Sequence, residues 1–162
     1  VTTVLLTGMS GTGKSTVLAR LRELGHAAVD IDDEGLLDES GEEALWDEDG
    51  VERVLATSPR PLFLAGCAAN QGRFYPDLTH VVLLSAPADV VRERLATRTT
   101  NPFGRTPEEL ARVLADLAEV EPLLRRGATL EVDTSRASPE EVVRLVLDHA
   151  GLATPPTTEE TR

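Results

Sequence analysis

Lysine is almost absent from the chain: Lys14 is the only one, and every other basic side chain is an arginine. Cysteine also occurs once, as Cys67, which excludes an internal disulfide framework and any finger built on paired cysteines. Aromatic residues make up 3% of the sequence, so leucine, valine and alanine have to build the core. No apolar run approaches the ~20 residues of a membrane-spanning helix, and the opening residues read as a strand rather than a leader. Positive charge is scarce as a whole. A net charge of −12 speaks against nucleic acid or an anionic membrane as partner, while still allowing a locally positive pocket. On these terms the protein is expected to be cytoplasmic.

What is present is a 162-residue chain, 41% hydrophobic, long enough for one domain with a substantial core. That domain is expected over 1–151. The Pro/Thr/Glu-rich stretch 152–162 reads as a disordered tail.

The one lysine sits in the most informative stretch, Gly8-Met9-Ser10-Gly11-Thr12-Gly13-Lys14-Ser15. An apolar run, Val4-Leu5-Leu6, precedes it, and a helical pattern from Thr16 to Leu21 follows. This is the phosphate-binding G-x-x-x-x-G-K-[ST] pattern in its strand–loop–helix setting. Glycines let the backbone curl so that successive N–H groups point at phosphate oxygens, and the following helix adds the positive end of its dipole. Gly8, Ser10, Gly11, Thr12, Gly13, Lys14, Ser15 and Thr16 are therefore the candidate nucleotide-binding residues. Lys14 would reach the β- and γ-phosphates and the Ser15 hydroxyl would ligate Mg²⁺. A compact ammonium suits that position where a guanidinium fork does not.

Along the chain, strands are expected at 1–7, 26–31, 61–66, 79–85 and 128–132, alternating with helices at 14–24, 50–57, 87–98, 106–126 and 138–150. Val17, Leu18, Leu21 and Leu24 would form the buried face of the first helix, with Gly25 ending it. Thr106-Pro107-Glu108-Glu109 and Ser138-Pro139-Glu140-Glu141 each read as a capping box with proline at the first helical position. The acidic stretch 34–49 reads as a partly helical, mobile insertion, with Trp46 as its anchor, and 67–76 as a polar loop. Strands alternating with helices imply an α/β fold of three layers, a five-stranded parallel sheet with helices on both faces. Ligands then bind at the carboxyl ends of the strands.

The phosphate loop, Asp30-Ile31-Asp32 after the second strand, the arginines from Arg92 to Arg105 and the Asp133-Thr134-Ser135-Arg136 turn follow one another in the order of a known family. The chain resembles the P-loop small-molecule and nucleoside monophosphate kinases, especially the shikimate-kinase-like and adenylate-kinase-like ones. The resemblance covers nearly the whole chain. It implies a P-loop NTPase fold, ATP with Mg²⁺ as donor, a small-molecule acceptor and a lid, here about 98–107, that closes over the phosphates. The protein would be a monomer or homodimer.

The same resemblance assigns roles. Asp32 orients the acceptor or Mg²⁺, and Asp30 is the second carboxylate of the pair. Arg98 and Arg105 neutralise the transferred charge. Asn70 and Arg73 face the acceptor or form a surface turn. Arg136 stacks on the adenine or merely links to the last helix. Two departures stand out. No aspartate ends the third or fourth strand, so the usual Walker B carboxylate is missing. The shikimate family's acceptor-binding arginine pattern is also unrecognisable between Leu36 and Arg60, which argues against shikimate as acceptor. The expected function is an ATP-dependent phosphotransferase acting on a hydroxyl or phosphate of a small metabolite, nucleoside or nucleotide. Its rivals are a nucleotide-binding regulator or slow ATPase without an acceptor, and an antibiotic-modifying phosphotransferase.

Overall fold

The apolar run Val4–Leu6 is fully buried because it lies at the centre of a sheet covered on both faces. In the computed structural model, which describes residues 1–99 and 102–154, this run belongs to β1 (Thr3–Thr7). It pairs in parallel with β5 (Leu62–Ala65) on one side and β6 (His80–Ser85) on the other. β2 (Ala27–Asp30) lies outside β5, and β7 (Leu130–Asp133) lies outside β6, giving a five-stranded sheet in the order β2-β5-β1-β6-β7. All these pairings are parallel, so the carboxyl ends of the strands share one edge.

Strand alternation sends Val4 and Leu6 to one face and Leu5 to the other. On the first face, α1 (Lys14–Glu23) and α6 (Pro139–His149) bury Val17, Leu18, Leu21, Val142, Val146 and Leu147. On the second face, Trp46, Val51 and Phe74 cover Leu5, Leu62 and Leu64. The expected three-layer α/β architecture is the one observed.

The N-cap half of each expected capping box forms, while the Glu109 carboxylate accepts from the Gly104 N–H. The Thr106 and Ser138 side chains accept from the Glu109 and Glu141 backbone N–H groups, opening α4 (Pro107–Glu119) and α6. Four expectations change. Leu24 is 45% exposed, because α1 ends before it and the Gly25 turn carries it to the surface. The acidic stretch holds a two-stranded antiparallel hairpin, β3 (Leu37–Asp38) with β4 (Leu45–Trp46), whose register burial of Trp46 fixes, and is helical only at its last two residues, Glu48 and Asp49. The expected loop contains a 3-10 helix over Gln71–Asp77, with Phe74 buried. The expected helix 106–126 breaks at Val120 into α4 and α5 (Glu121–Gly127), where Pro122 has no N–H to continue the ladder. Two further helices, α2 (Glu48–Thr57) and α3 (Ala88–Thr97), complete the layers. The last eight positions of the expected tail, and positions 100–101 of the expected lid, lie outside the described residues.

Candidate active site

The phosphate loop runs from the end of β1 to the start of α1. Gly13 caps the helix in the left-handed region (φ 99°), a conformation glycine adopts at little cost. Gly8 leaves the strand against the β6 backbone, where an added Cβ would stand 2.3 Å from the Leu84 carbonyl oxygen. Thr12 is fully buried and its hydroxyl donates to the Met9 carbonyl at 2.7 Å, closing the loop from inside. The Lys14 ammonium donates to the Gly8 and Met9 carbonyls at 2.6 and 3.1 Å, which holds it across the mouth of the loop.

The loop is also tied from outside. The Arg94 guanidinium, on α3, donates to the Gly11 carbonyl at 3.1 Å and to the Thr134 hydroxyl and carbonyl at 2.8 and 3.0 Å. The Thr134 hydroxyl in turn donates to the Thr12 carbonyl at 2.8 Å. The turn after β7 and the base of the arginine-bearing helix thereby share one clamp on the phosphate loop.

Two carboxylates close the other side. Asp30 ends β2 and is 7% exposed; its Oδ2 accepts from the Ser15 hydroxyl at 3.2 Å and its Oδ1 from the Asp33 N–H at 3.3 Å. The Oδ2 of Asp32 accepts from the Cys67 N–H at 3.3 Å, while its Oδ1 is buried without a hydrogen-bond partner. Burial holds both carboxyls above the usual aspartate range. For Asp30 the neighbouring charge of Asp33 adds to this, and for Asp32 the Lys14 ammonium opposes it. Burial likewise lowers Lys14, against the attraction of Asp32 and Asp30. Burial raises the Cys67 thiol, which disfavours the reactive thiolate.

These groups line one open cavity of 1250 Å³. Ser10, Gly11, Gly13, Lys14, Ser15, Thr16, Asp30, Asp32 and Arg98, all expected at the site, meet there. Gly8 and Thr12 shape the loop from behind. Four further expected residues do not line the cavity. Asn70 is committed to the Trp46 backbone, accepting its N–H and donating to its carbonyl, each at 3.0 Å. Arg73 pairs with Glu48 and Glu52 on α2. The Arg105 guanidinium turns back onto the Arg98 carbonyl. Arg136 is 86% exposed beside Asp133. The cavity adds Asp33, Arg94, Thr134 and Pro139. Thr134 lies in the turn that the sequence marked, and Arg94 shares the helical spacing of Arg98. Neither the clamp nor its partner Gly11 could be read from spacing alone.

Residues 4–115 match a family model described as an AAA domain. The chain belongs to the AAA-domain family of P-loop proteins. The shikimate kinase of Mycobacterium tuberculosis is 32% identical over 167 residues, spanning 93% of this chain and 94% of that protein. A putative adenylate kinase of Archaeoglobus fulgidus is 33% identical over 150 residues, spanning 88% of this chain and 79% of that protein. Among solved structures, the shikimate kinase of Acinetobacter baumannii, in complex with shikimate, aligns with a TM-score of 0.66 at 24% identity, covering 91% of this chain and 92% of that one. That likeness establishes a common fold. The sequence relatives put this P-loop chain among kinase-like phosphotransferases, whose named acceptors differ. No described helix is long and apolar enough to cross a membrane.

Proposed function

We propose that this P-loop protein transfers the γ-phosphoryl group of ATP to a hydroxyl of a small molecule. The observation that carries the reading is the Asp32 carboxylate facing the same cavity as the Lys14 ammonium and the open phosphate loop. A nucleotide-binding module without an acceptor does not need a second, half-buried carboxylate there.

The donor set suits Mg²⁺. Ser15 and Asp30 offer hard oxygen ligands already joined at 3.2 Å, and Asp30 is a buried anion with only neutral hydrogen-bond partners. Among the described residues no cluster of three or more acidic, histidine or cysteine side chains is arranged to hold a cation unaided. Phosphate oxygens and water would therefore complete its shell. The sequence favoured Asp32 for the metal; the hydrogen bond to Ser15 shifts that role to Asp30 and leaves Asp32 to the acceptor. When bound, the ion would neutralise charge on the β- and γ-phosphates.

This chain's residues would act as follows. Loop N–H groups and Lys14 hold the triphosphate. Asp32 orients the acceptor hydroxyl and takes its proton as the oxygen attacks phosphorus, a task that its upward-shifted carboxyl suits. Arg98, on the cavity wall, stabilises charge on the transferring group. The acceptor is read as uncharged or cationic. Every charged residue from Asp30 to Glu52 is acidic, and none between Leu62 and Gly72 is charged, so the acceptor side offers no base to a carboxylate or phosphate.

The test is ADP release with Mg-ATP over a panel of polyols, nucleosides, amino sugars, hydroxy acids and nucleoside monophosphates, with products read by the mass of one added phosphoryl group. A neutral or amine-bearing acceptor is expected to raise the rate, and Lys14→Met to abolish it. Undiminished turnover in Lys14→Met would sink the reading. A rate that no acceptor changes would favour a slow ATPase or regulator instead.

A further inference from the structure

Asp32 is held by more than its own turn. A Cβ built on Gly66 would lie 3.0 Å from Asp32 Oδ1 and 3.2 Å from Trp46 Nε1, so the two atoms border the same face of that glycine. Both atoms are buried, and neither has a hydrogen-bond partner of good geometry. One is an acceptor that needs a donor, and the other is a donor that needs an acceptor. Trp46 is itself 2% exposed and cannot swing away. Its N–H and C=O are both bonded to the Asn70 side chain at 3.0 Å, its ring packs at 5.9 Å from that of Phe74, and its strand pairs with Leu37.

We propose that Trp46 is a positioning residue for Asp32: its indole N–H engages Oδ1 and, with the Cys67 N–H on Oδ2, fixes the carboxylate toward the acceptor. The unit reaches back through Asn70, which acts on the site by holding Trp46 rather than by touching an acceptor. It also explains why the acidic segment folds as a hairpin over the sheet edge, since that hairpin delivers the indole. Gly66 is required because any side chain would enter between the two groups. The inference rests on reading Asp32 as the acceptor-side carboxylate.

Trp46 is the only tryptophan in the chain, so ¹⁵N-labelled protein gives one indole N–H resonance. In nucleotide-free protein that resonance is expected to be protected from exchange and to move in Asp32→Asn. It should stay in place in Asp38→Asn, which changes an exposed acid of the same hairpin. Should Asp32→Asn fail to fold, Gly66→Ala supplies the same displacement. With an acceptor in hand, Trp46→Phe keeps an apolar ring but removes the donor. It is expected to lower kcat about tenfold while the KM for ATP stays within about twofold, as for loss of one hydrogen bond felt in the transfer step. An indole resonance unmoved by both Asp32→Asn and Gly66→Ala overturns the proposal, and so does an unchanged kcat in Trp46→Phe. A moved resonance in a protein that phosphorylates no acceptor keeps the contact and removes the kinase reading instead.

Discussion

Arg94 offers the sharpest check on how the phosphate loop is held. Arg94→Met keeps most of the aliphatic stem and removes three hydrogen bonds from a charged donor, to the Gly11 carbonyl and to the Thr134 hydroxyl and carbonyl. Bonds of that kind are each worth about 1.5–3 kcal/mol net. Their sum overstates the loss. Gly11 and Thr134 line the cavity, so water can reach the freed carbonyls, and the Thr134 hydroxyl keeps its bond to the Thr12 carbonyl. A loss of about 2–3 kcal/mol is expected, equivalent to a fall in Tm of about 4–12 °C for a chain of this size. Because the loosened element is the nucleotide cradle, the Kd for ATP should rise about threefold or more. Urea unfolding and calorimetric ATP titration measure both. Stability within about 0.5 kcal/mol of the parent together with unchanged affinity would refute the clamp. Parental stability with weakened ATP binding would refute it differently, by showing that the guanidinium serves the phosphates rather than the loop.

Two more outcomes follow from buried groups. In protein free of nucleotide and Mg²⁺, Asp32→Asn is expected to raise Tm at pH 7, and with Mg-ATP and an acceptor supplied the same variant is expected to lose phosphoryl transfer. The folded-state carboxyl sits above its ordinary value of 3.8, so the native state binds this proton more readily than the unfolded chain does, and its contribution to stability falls as pH rises through that interval. The gap between variant and parent should close as pH drops to about 3.8; a variant less stable than the parent at pH 7 contradicts the sign. Gly8→Ala puts a Cβ 2.3 Å from the Leu84 carbonyl and 2.8 Å from the Thr12 hydroxyl, at a φ of +150°. Backbone cannot yield as a side chain does, so a loss of about 3 kcal/mol or more is expected by urea unfolding.

The parts that the sequence made legible are those where local pattern and global fold agree. The run Val4–Leu6, the Lys14 loop and the Thr106 and Ser138 N-caps each carry their signal within a few residues, and each appears in place. Trp46 was recognisable as an anchor because a lone large aromatic in an acidic stretch has one favourable place to go. The hairpin around it was not, since β3 and β4 have two residues each and no periodicity to display. Asn70 and Arg73 looked like ligands because polar side chains follow a strand end there. Their partners, Trp46 and Glu48 with Glu52, lie more than twenty positions earlier, and only the packing of α2 beside that loop brings them together. Arg94 and Arg98 are alike in sequence, yet one turn of helix separates a side chain clamped to Gly11 from one on the cavity wall.

The energetics of the site point the same way as its motif. A fold built for stability alone would not bury a lysine beside two aspartates and shift all three toward their neutral forms. Nor would it set a buried aspartate oxygen beside a buried indole N–H over a glycine, where an added Cβ would lie within 3.2 Å of both. Two other buried polar atoms, Arg60 Nε and Glu121 Oε2, are unpaired away from the cavity, but Lys14, Asp30 and Asp32 form a cluster of three perturbed ionisable groups at one place. Perturbed ionisable groups clustered at the carboxyl edge of a parallel sheet are the signature of a functional site. On the proposed reading a magnesium-bound triphosphate would set an anion against Lys14 and a cation against Asp30. It would leave Asp32, on the same cavity wall, without a task, and for that reason Asp32 supports the proposed acceptor.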